Sequence, residues 1–256
     1  MLPGQRHYLI LELLMKNKSI SVKTLCDELE ASEATIRRDL TVLESEGKLE
    51  RTHGGAVLRY FSTIDQEESF NQKESMLATQ KQRIAQKAFE LLKENESIIL
   101  DAGTTALELA NLIGKSNLKI SVITNSTTIS KYIGENRNAE LFIVGGKVRL
   151  NTLATVGSLA IDTVKKFNVS KTFIGVNGIT LDSGLTTPDF EESQIKNAML
   201  SAGRERIVLT DHTKFDKVAV CRIAPISMID CIITDKDIDP KYVEEFEAND
   251  CKMILA

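Results

Sequence analysis

From about residue 76 onward the chain repeats one pattern: a short apolar run without polar alternation, one or two small or polar residues, then a helical stretch. Strands are read at 97–100, 120–123, 141–144, 172–176, 207–209 and 231–234, with a last one at 252–255. Helices are read at 105–113, 126–134, 159–167 and 189–202. Strands that are apolar on both faces and separated by helices belong to a mostly parallel α/β sheet covered on both sides. Such a sheet takes ligands beyond the carboxyl ends of its strands, so chemistry is sought there.

After the first strand come Asp101, Gly103, Thr104 and Thr105, opening a helix. Glycine permits close backbone approach. The threonines offer hydroxyls and N–H groups at a helix amino terminus, whose partial positive charge suits phosphate; a plain helix cap is the other reading. Thr124 and Asn125 follow the second strand, Gly145 and Gly146 the third, Asn177 the fourth, and Asp211 and Lys214 the fifth. Lys214 is the expected cation for an anionic ligand, or an ordinary surface lysine. Asp101 and Asp211 either bond ligand hydroxyls or order their own loops.

Upstream the pattern differs. Residues 1–59 read as helical, with strand-like pieces only at the end, and residues 60–75 as a polar, partly helical linker before the domain at 76–256. A formal charge of −4 with 42% hydrophobic and 27% charged residues describes a folded chain and excludes a disordered one. The longest apolar runs, such as 141–144, are far short of the roughly 20 residues of a membrane-spanning helix. The start has no signal-peptide core, so a cytoplasmic protein without membrane partners is expected. Cys26, Cys221, Cys231 and Cys251 form no CxxC pair and lie far from the histidines in sequence, so buried hydrophobic thiols are expected, and no metal site or cofactor.

Residues 1–59 carry equal numbers of basic and acidic side chains, so any nucleic-acid reading must rest on placement of charge. Ser21 caps a helix with the stripe Val22, Leu25, Cys26, Leu29. Ser32 caps a second, 33–46, with Ile36, Leu40 and Leu43 inward and Gly47 ending it. The two or three residues between them give a helix-turn-helix. Opposite the apolar stripe lie Arg38, Thr41 and small residues, flanked by Thr35 and Arg37. This is a face suited to phosphates and base edges in a major groove, whereas an isolated Arg pair would be plain surface. Two strand-like pieces around Gly54-Gly55 form a hairpin wing on which Arg51 and His53 sit where backbone phosphates would lie; His53 has a structural reading as well.

The run Ser32-Glu33-Ala34-Thr35-Ile36-Arg37-Arg38-Asp39-Leu40, followed by His53-Gly54-Gly55-Ala56, resembles the DNA-binding domain of the DeoR family, bacterial repressors of sugar and nucleoside catabolism. Asp101–Thr105, Thr124-Asn125, Gly145-Gly146 and Asp211–Phe215 are similar to the motifs of that family's sugar-phosphate-sensing domain. Together the two stretches span nearly the whole chain. The resemblance implies a winged helix-turn-helix joined to an α/β domain similar to ribose-5-phosphate isomerase and glucosamine-6-phosphate deaminase, with phosphate on the Gly103-Thr104-Thr105 loop. Two departures bear on which sugar is accepted: Asn177 where many relatives carry an acidic residue, and His212-Thr213 in place of a serine pair.

The expected function is a DNA-binding regulator, a repressor of a sugar-catabolism operon. Its partners would be double-stranded operator DNA, a phosphorylated sugar and further copies of itself in a dimer or tetramer. DNA contacts are assigned to Ser32, Thr35, Arg37, Arg38, Thr41, Arg51, His53 and Gly54. Two alternatives stand beside it: a sugar-phosphate isomerase-like enzyme with an appended DNA-binding domain, using Glu191 or Glu192 as base, and a DNA-binding scaffold with an empty pocket. The region after the fourth strand lacks the carboxylate cluster that the isomerases place there, so no catalytic residue is assigned.

Overall fold

The computed structural model describes residues 3–17, 19–45, 49–52, 54–58, 62–64 and 69–256. The chain divides into two compact units, 1–61 and 62–256.

The first unit runs α1 (Pro3–Asn17), β1 (Ser19–Ser21), α2 (Val22–Leu29), α3 (Glu33–Ser45), β2 (Leu49–Thr52) and β3 (Gly55–Leu58). Ile10 and Leu14 of α1 meet Val22, Leu25 and Leu29 of α2 and Ile36, Leu40 and Leu43 of α3 in one apolar cluster. Ser21 caps α2 by accepting the Thr24 N–H at 3.0 Å, and Ser32 accepts the Thr35 N–H at 3.3 Å. Between the helices, Glu30 takes the left-handed conformation at φ 48° that lets the chain turn so tightly. β2 and β3 form an antiparallel hairpin. β1, unforeseen in sequence, pairs antiparallel with β3; it buries only Ile20 between two exposed serines, too little alternation to be seen.

The second unit opens with β4 (Ser62–Ile64), α4 (Phe70–Ser75) and α5 (Ala78–Glu90). Next come β5 (Ser97–Leu100), α6 (Thr104–Lys115), β6 (Ile120–Thr124), α7 (Ile129–Ile133), β7 (Ala139–Ile143), the hairpin β8 (Lys147–Arg149) and β9 (Ala154–Val156), and α8 (Ser158–Val164). The remainder is β10 (Val169–Ile174), β11 (Gly178–Thr180), β12 (Gly184–Thr187), α9 (Phe190–Ala202), β13 (Gly203–Leu209), β14 (Lys217–Ala219), β15 (Cys221–Ala224), β16 (Cys231–Thr234), α10 (Pro240–Glu247) and β17 (Lys252–Leu255). The unforeseen strands are three or four residues each. They form an antiparallel sheet β11-β12-β15, the β8–β9 hairpin and a parallel pair β14–β4.

Seven strands make an all-parallel sheet in the order β17-β16-β13-β10-β5-β6-β7. One apolar layer packs on each face. From β5 the chain steps outward through β6 and β7; from β10 it steps the other way through β13, β16 and β17. The order reverses between β5 and β10, which is where an open α/β sheet leaves a crevice at its carboxyl edge. At the β7 edge, Phe142 and Ile143 remain exposed, unlike the doubly covered strand the apolar run suggested. The expected 126–134 helix shortens to α7 because Ser126 bridges to Ala154. The 60–75 segment, expected as a linker, supplies β4 and α4 to the second unit.

Candidate functional site

An open cleft of about 830 Å³ lies at the carboxyl ends of β5, β10 and β13. Its floor is a buried ion pair. Asp101, directly after β5, accepts the Gly175 N–H at 3.0 Å and the ammonium of Lys196 from α9. The same ammonium donates to the Gly175 carbonyl at 3.0 Å, fastening the two strand ends across the reversal point. The Gly175 N–H and carbonyl compensate part of the cost of burying this pair.

Beside this floor α6 begins. Gly103 is its N-cap and has no side chain to offer the first-turn N–H groups. Thr104 and Thr105 are buried, line the cleft, and among the described residues have no protein partner for their hydroxyls. Across from them runs the turn after β13. Asp211 accepts the Thr213 N–H at 3.0 Å and the Thr213 hydroxyl, so of its two readings the loop-ordering one is seen. Lys214 lines the cleft and, among the described residues, makes no ion pair. The last wall is the start of α9, where buried Glu192 accepts from Arg149 and from the Thr152 hydroxyl, each at 2.7 Å. Arg149 also lies 3.3 Å from Asp189, the α9 cap. Glu191 instead pairs with Lys147 at 2.7 Å.

Asp101, Gly103, Thr104, Thr105, Asn177, Asp211 and Lys214 therefore come together in one cleft. Thr124, Asn125, Gly145 and Gly146 do not line it: β6 and β7 lie on the far side of β5, and their ends are taken up by the β8–β9 hairpin. Asn125 donates to the Thr155 carbonyl at 2.9 Å, and Thr124 accepts the Ser126 N–H at 3.1 Å. Gly146, at φ 156°, packs where a Cβ would crowd Val156. Sequence reasoning missed Lys196, Thr152, Lys73 and Lys81 as cleft residues and weighed Glu192 as a base or as a helix-start charge complementing the dipole. The 192/196 spacing on one helix face was the available signal for two of them.

In the first unit Arg38 is exposed and, among the described residues, unpaired. Arg37 lies 2.7 Å from Glu33 one turn back. The Thr41 hydroxyl donates to the Arg37 carbonyl at 2.9 Å and accepts from Arg51 at 2.8 Å, so Arg51 ties β2 to the exposed side of α3. Gly54 is exposed at the hairpin turn; His53 and Gly47 lie outside the described residues. Asp39, not singled out in sequence, faces inward and meets Arg6 at 2.5 Å and His7 at 3.0 Å, both from α1. Burial pushes its carboxyl up, but hydrogen bonds from Arg6 and His7, with their charges, hold it below the usual carboxylate range.

Two domain models of one known family match these two units. A DeoR-like helix-turn-helix domain matches residues 6–60 and a DeoR C terminal sensor domain matches residues 77–236. The chain belongs to the DeoR family. It is 36% identical over 248 residues to the HTH-type transcriptional regulator GlpR of Haloferax volcanii, covering 97% of this chain and 96% of that one. It is 37% identical over 238 residues to the lactose phosphotransferase system repressor of Lactococcus lactis subsp. lactis, covering 93% and 92%. Among solved structures, ribose 5-phosphate isomerase A from Methanocaldococcus jannaschii overlaps 53% of each chain at 18% identity with a TM-score of 0.39. As a DeoR-family member the protein is a DNA-binding transcriptional regulator.

The remaining chemistry-bearing groups are quiet. Burial pushes the thiols of Cys231 and Cys251 up to about 11 and about 12, so neither is a nucleophile near neutral pH. His212, Asp235 and Asp237 approach one another within 4.8 Å, a grouping not visible in the sequence spacing. Asp235 is engaged there by the His212 ring at 2.7 Å and the His212 N–H at 2.8 Å, linking the ends of β13 and β16. Among the described residues no helix is long and apolar enough to cross a membrane.

Proposed function

We propose that the protein is a repressor of a sugar-catabolism operon whose hold on double-stranded operator DNA is set by a phosphorylated sugar in the α6 cleft. The observation that supports this most is the uncapped start of α6. Uncapped N–H groups, two buried hydroxyls and the Lys214 ammonium, the last three without partners among the described residues, converge on one opening. That donor set fits a phosphate monoester. Asn177, Glu192 and Thr152 offer polar groups for the hydroxyls of the sugar. The name of the Lactococcus relative, a repressor, supports the sign of regulation.

On the DNA side, α3 enters the major groove with Arg38 toward base edges or phosphates. Ser32, Thr35, Arg37 and Thr41 flank it, and the wing, with Arg51, His53 and Gly54, lies against the backbone. Two heads are needed for a two-part operator, which calls for a dimer or tetramer. Effector binding then favours an arrangement in which the heads no longer match their half-sites. A coupling of about 1–3 kcal/mol changes operator affinity roughly 5–150-fold.

The enzyme reading draws on one observation, a buried carboxylate, Glu192, in the cleft. That carboxylate accepts hydrogen bonds from Arg149 and the Thr152 hydroxyl, and to act as a general base it would in addition have to lie within hydrogen-bond reach of a substrate proton. Fluorescence anisotropy on DNA upstream of the neighbouring operon, with and without a panel of sugar phosphates, tests the regulator reading. Effector-dependent binding is expected; no binding to any upstream DNA overturns it. Turnover of a sugar phosphate that is lost in Glu191→Gln/Glu192→Gln would establish the enzyme instead.

A further inference from the structure

Among the described residues of the second unit, four large apolar side chains stand more than 60% exposed, and three of them, Leu150, Leu159 and Phe190, come from elements that meet. Leu150 follows β8, Leu159 lies in the first turn of α8 and Phe190 opens α9. Two ion pairs fasten β8 to the start of α9: Lys147 with Glu191 at 2.7 Å, and Arg149 with Asp189 at 3.3 Å. A Cβ built on Gly157, just before α8, would come within 3.8 Å of the Glu191 carboxylate. The residues flanking the three apolar side chains are thus in contact, which gathers the exposed groups into one patch.

Its size points to an interface. At 85%, 65% and 64% exposure, Leu150, Leu159 and Phe190 leave roughly 400 Å² in water, as much as the largest apolar patch of a typical monomer. A standard interface takes about 800 Å² from each partner, a little over half of it apolar, or roughly 450 Å². Three side chains here supply most of that apolar share.

The charges beside the patch say what covers it. Lys147 and Glu191 lie side by side with 68% and 35% of their side chains exposed. A two-fold contact brings the same surface together with itself reversed, so it must be complementary to its own copy. One charge of each sign next to an apolar centre meets that requirement. Lys147 of one protomer faces Glu191 of the partner subunit, and the exchange repeats across the axis. A partner of single-sign charge would set one of the two against a like charge, at a cost in affinity.

We propose that the turn after β8 and the starts of α8 and α9 form a self-association surface on which a second copy of this chain docks two-fold. Leu150, Leu159 and Phe190 make its centre, and Lys147 and Glu191 pair across the axis. The proposal rests on the reading above that operator binding takes a dimer or tetramer, and gives that assembly a place on the fold.

Sedimentation velocity of the full-length protein reads the contact. Leu150→Asp and Phe190→Asp should each raise its dissociation constant roughly a hundredfold or more, because an unpaired carboxylate enters the buried centre twice. The mass at micromolar concentration should then fall by half. Val220→Asp, at the fourth exposed apolar residue, between β14 and β15, should leave the mass unchanged. Charge reversal is the sharper arm. Lys147→Glu and Glu191→Lys should each self-associate more weakly, since like charges then face one another across the axis. Mixed together, the two variants should associate with close to the parent's affinity, although neither chain regains its internal ion pair. An assembled parent whose mass is unchanged in both aspartate variants, or reversed chains that do not associate on mixing, overturns this surface. The dimer or tetramer reading then stands, and the patch is left to a different protein or another segment of the chain. A parent that sediments as a monomer, with and without operator DNA, removes that reading and this proposal together. Should an aspartate variant fail to fold by circular dichroism, the mixing of reversed chains still decides.

Discussion

Gly103 has ordinary extended dihedrals, φ −74° and ψ 154°, and a Cβ built on it would come no nearer than 3.6 Å to the Asp101 carboxylate. Neither backbone nor packing requires glycine there. What its missing side chain does is leave the first-turn N–H groups of α6 uncovered. Gly103→Ala is therefore expected to fold, with a melting temperature within about 4 °C of the parent, since alanine is a poorer N-cap than glycine by on the order of 1 kcal/mol. It should weaken sugar-phosphate binding about tenfold or more by calorimetry; unchanged affinity would mean that the phosphate sits elsewhere. The same logic separates the two adjacent arginines. Arg37 is held by Glu33, while Arg38 stands exposed and, among the described residues, unpaired. Arg38→Ala should cost about 1–3 kcal/mol in operator affinity, read by anisotropy, and leave the circular dichroism spectrum intact. Arg37→Ala should cost less.

At the level of elements, the winged unit depends on two close fits that its hydrophobic stripes do not advertise. Gly55 lets β3 lie against β1: a Cβ there would overlap the Ile20 carbonyl oxygen, a backbone atom that cannot swing aside. At Gly54 a Cβ would meet nothing within 4 Å. Gly55→Ala is expected to destabilise this unit by about 1–3 kcal/mol, while Gly54→Ala costs far less, measured by native-state hydrogen exchange of β3. The second fit is Asp39, which joins α3 to Arg6 and His7 of α1. Its folded carboxyl titrates below its unfolded one. The stabilisation is thus complete above the ordinary carboxylate range and drains away as pH falls through the folded value. Exchange protection in α3, corrected for intrinsic rates, should fall on acidification in the parent and much less in Asp39→Asn. The helices themselves were readable, because Val22, Leu25 and Leu29, then Ile36, Leu40 and Leu43, recur at helical spacing. Asp39 was not, because nothing in a sequence distinguishes a buried aspartate from a solvated one until its partners are placed.

Across the whole molecule, the parallel sheet and the cleft residues that directly follow its strands were legible because buried strands read as uninterrupted apolar runs and ligand loops follow them. What stayed hidden was strand order. Thr124, Asn125, Gly145 and Gly146 follow strands as faithfully as Asp101 does, yet only the ends next to the β5–β10 reversal open into the cleft. No local pattern reports which strands are neighbours. The contribution of α4 and α5 was hidden for the same reason, since polar residues at 60–75 look like a tether until β4 is found paired with β14. The proposed effector and operator sites lie on one chain, so the coupling proposed between them is reciprocal: whatever factor a sugar phosphate takes from operator affinity, operator DNA takes from sugar-phosphate affinity. We expect effector titrations in the presence of saturating operator to give a dissociation constant higher by that same factor, measured independently by anisotropy. Equality holds whatever path the coupling follows, so unequal factors would mean that effector and operator are not exchanging on a single folded species. A factor of one in both directions would leave a DNA-binding protein that carries its cleft without listening to it.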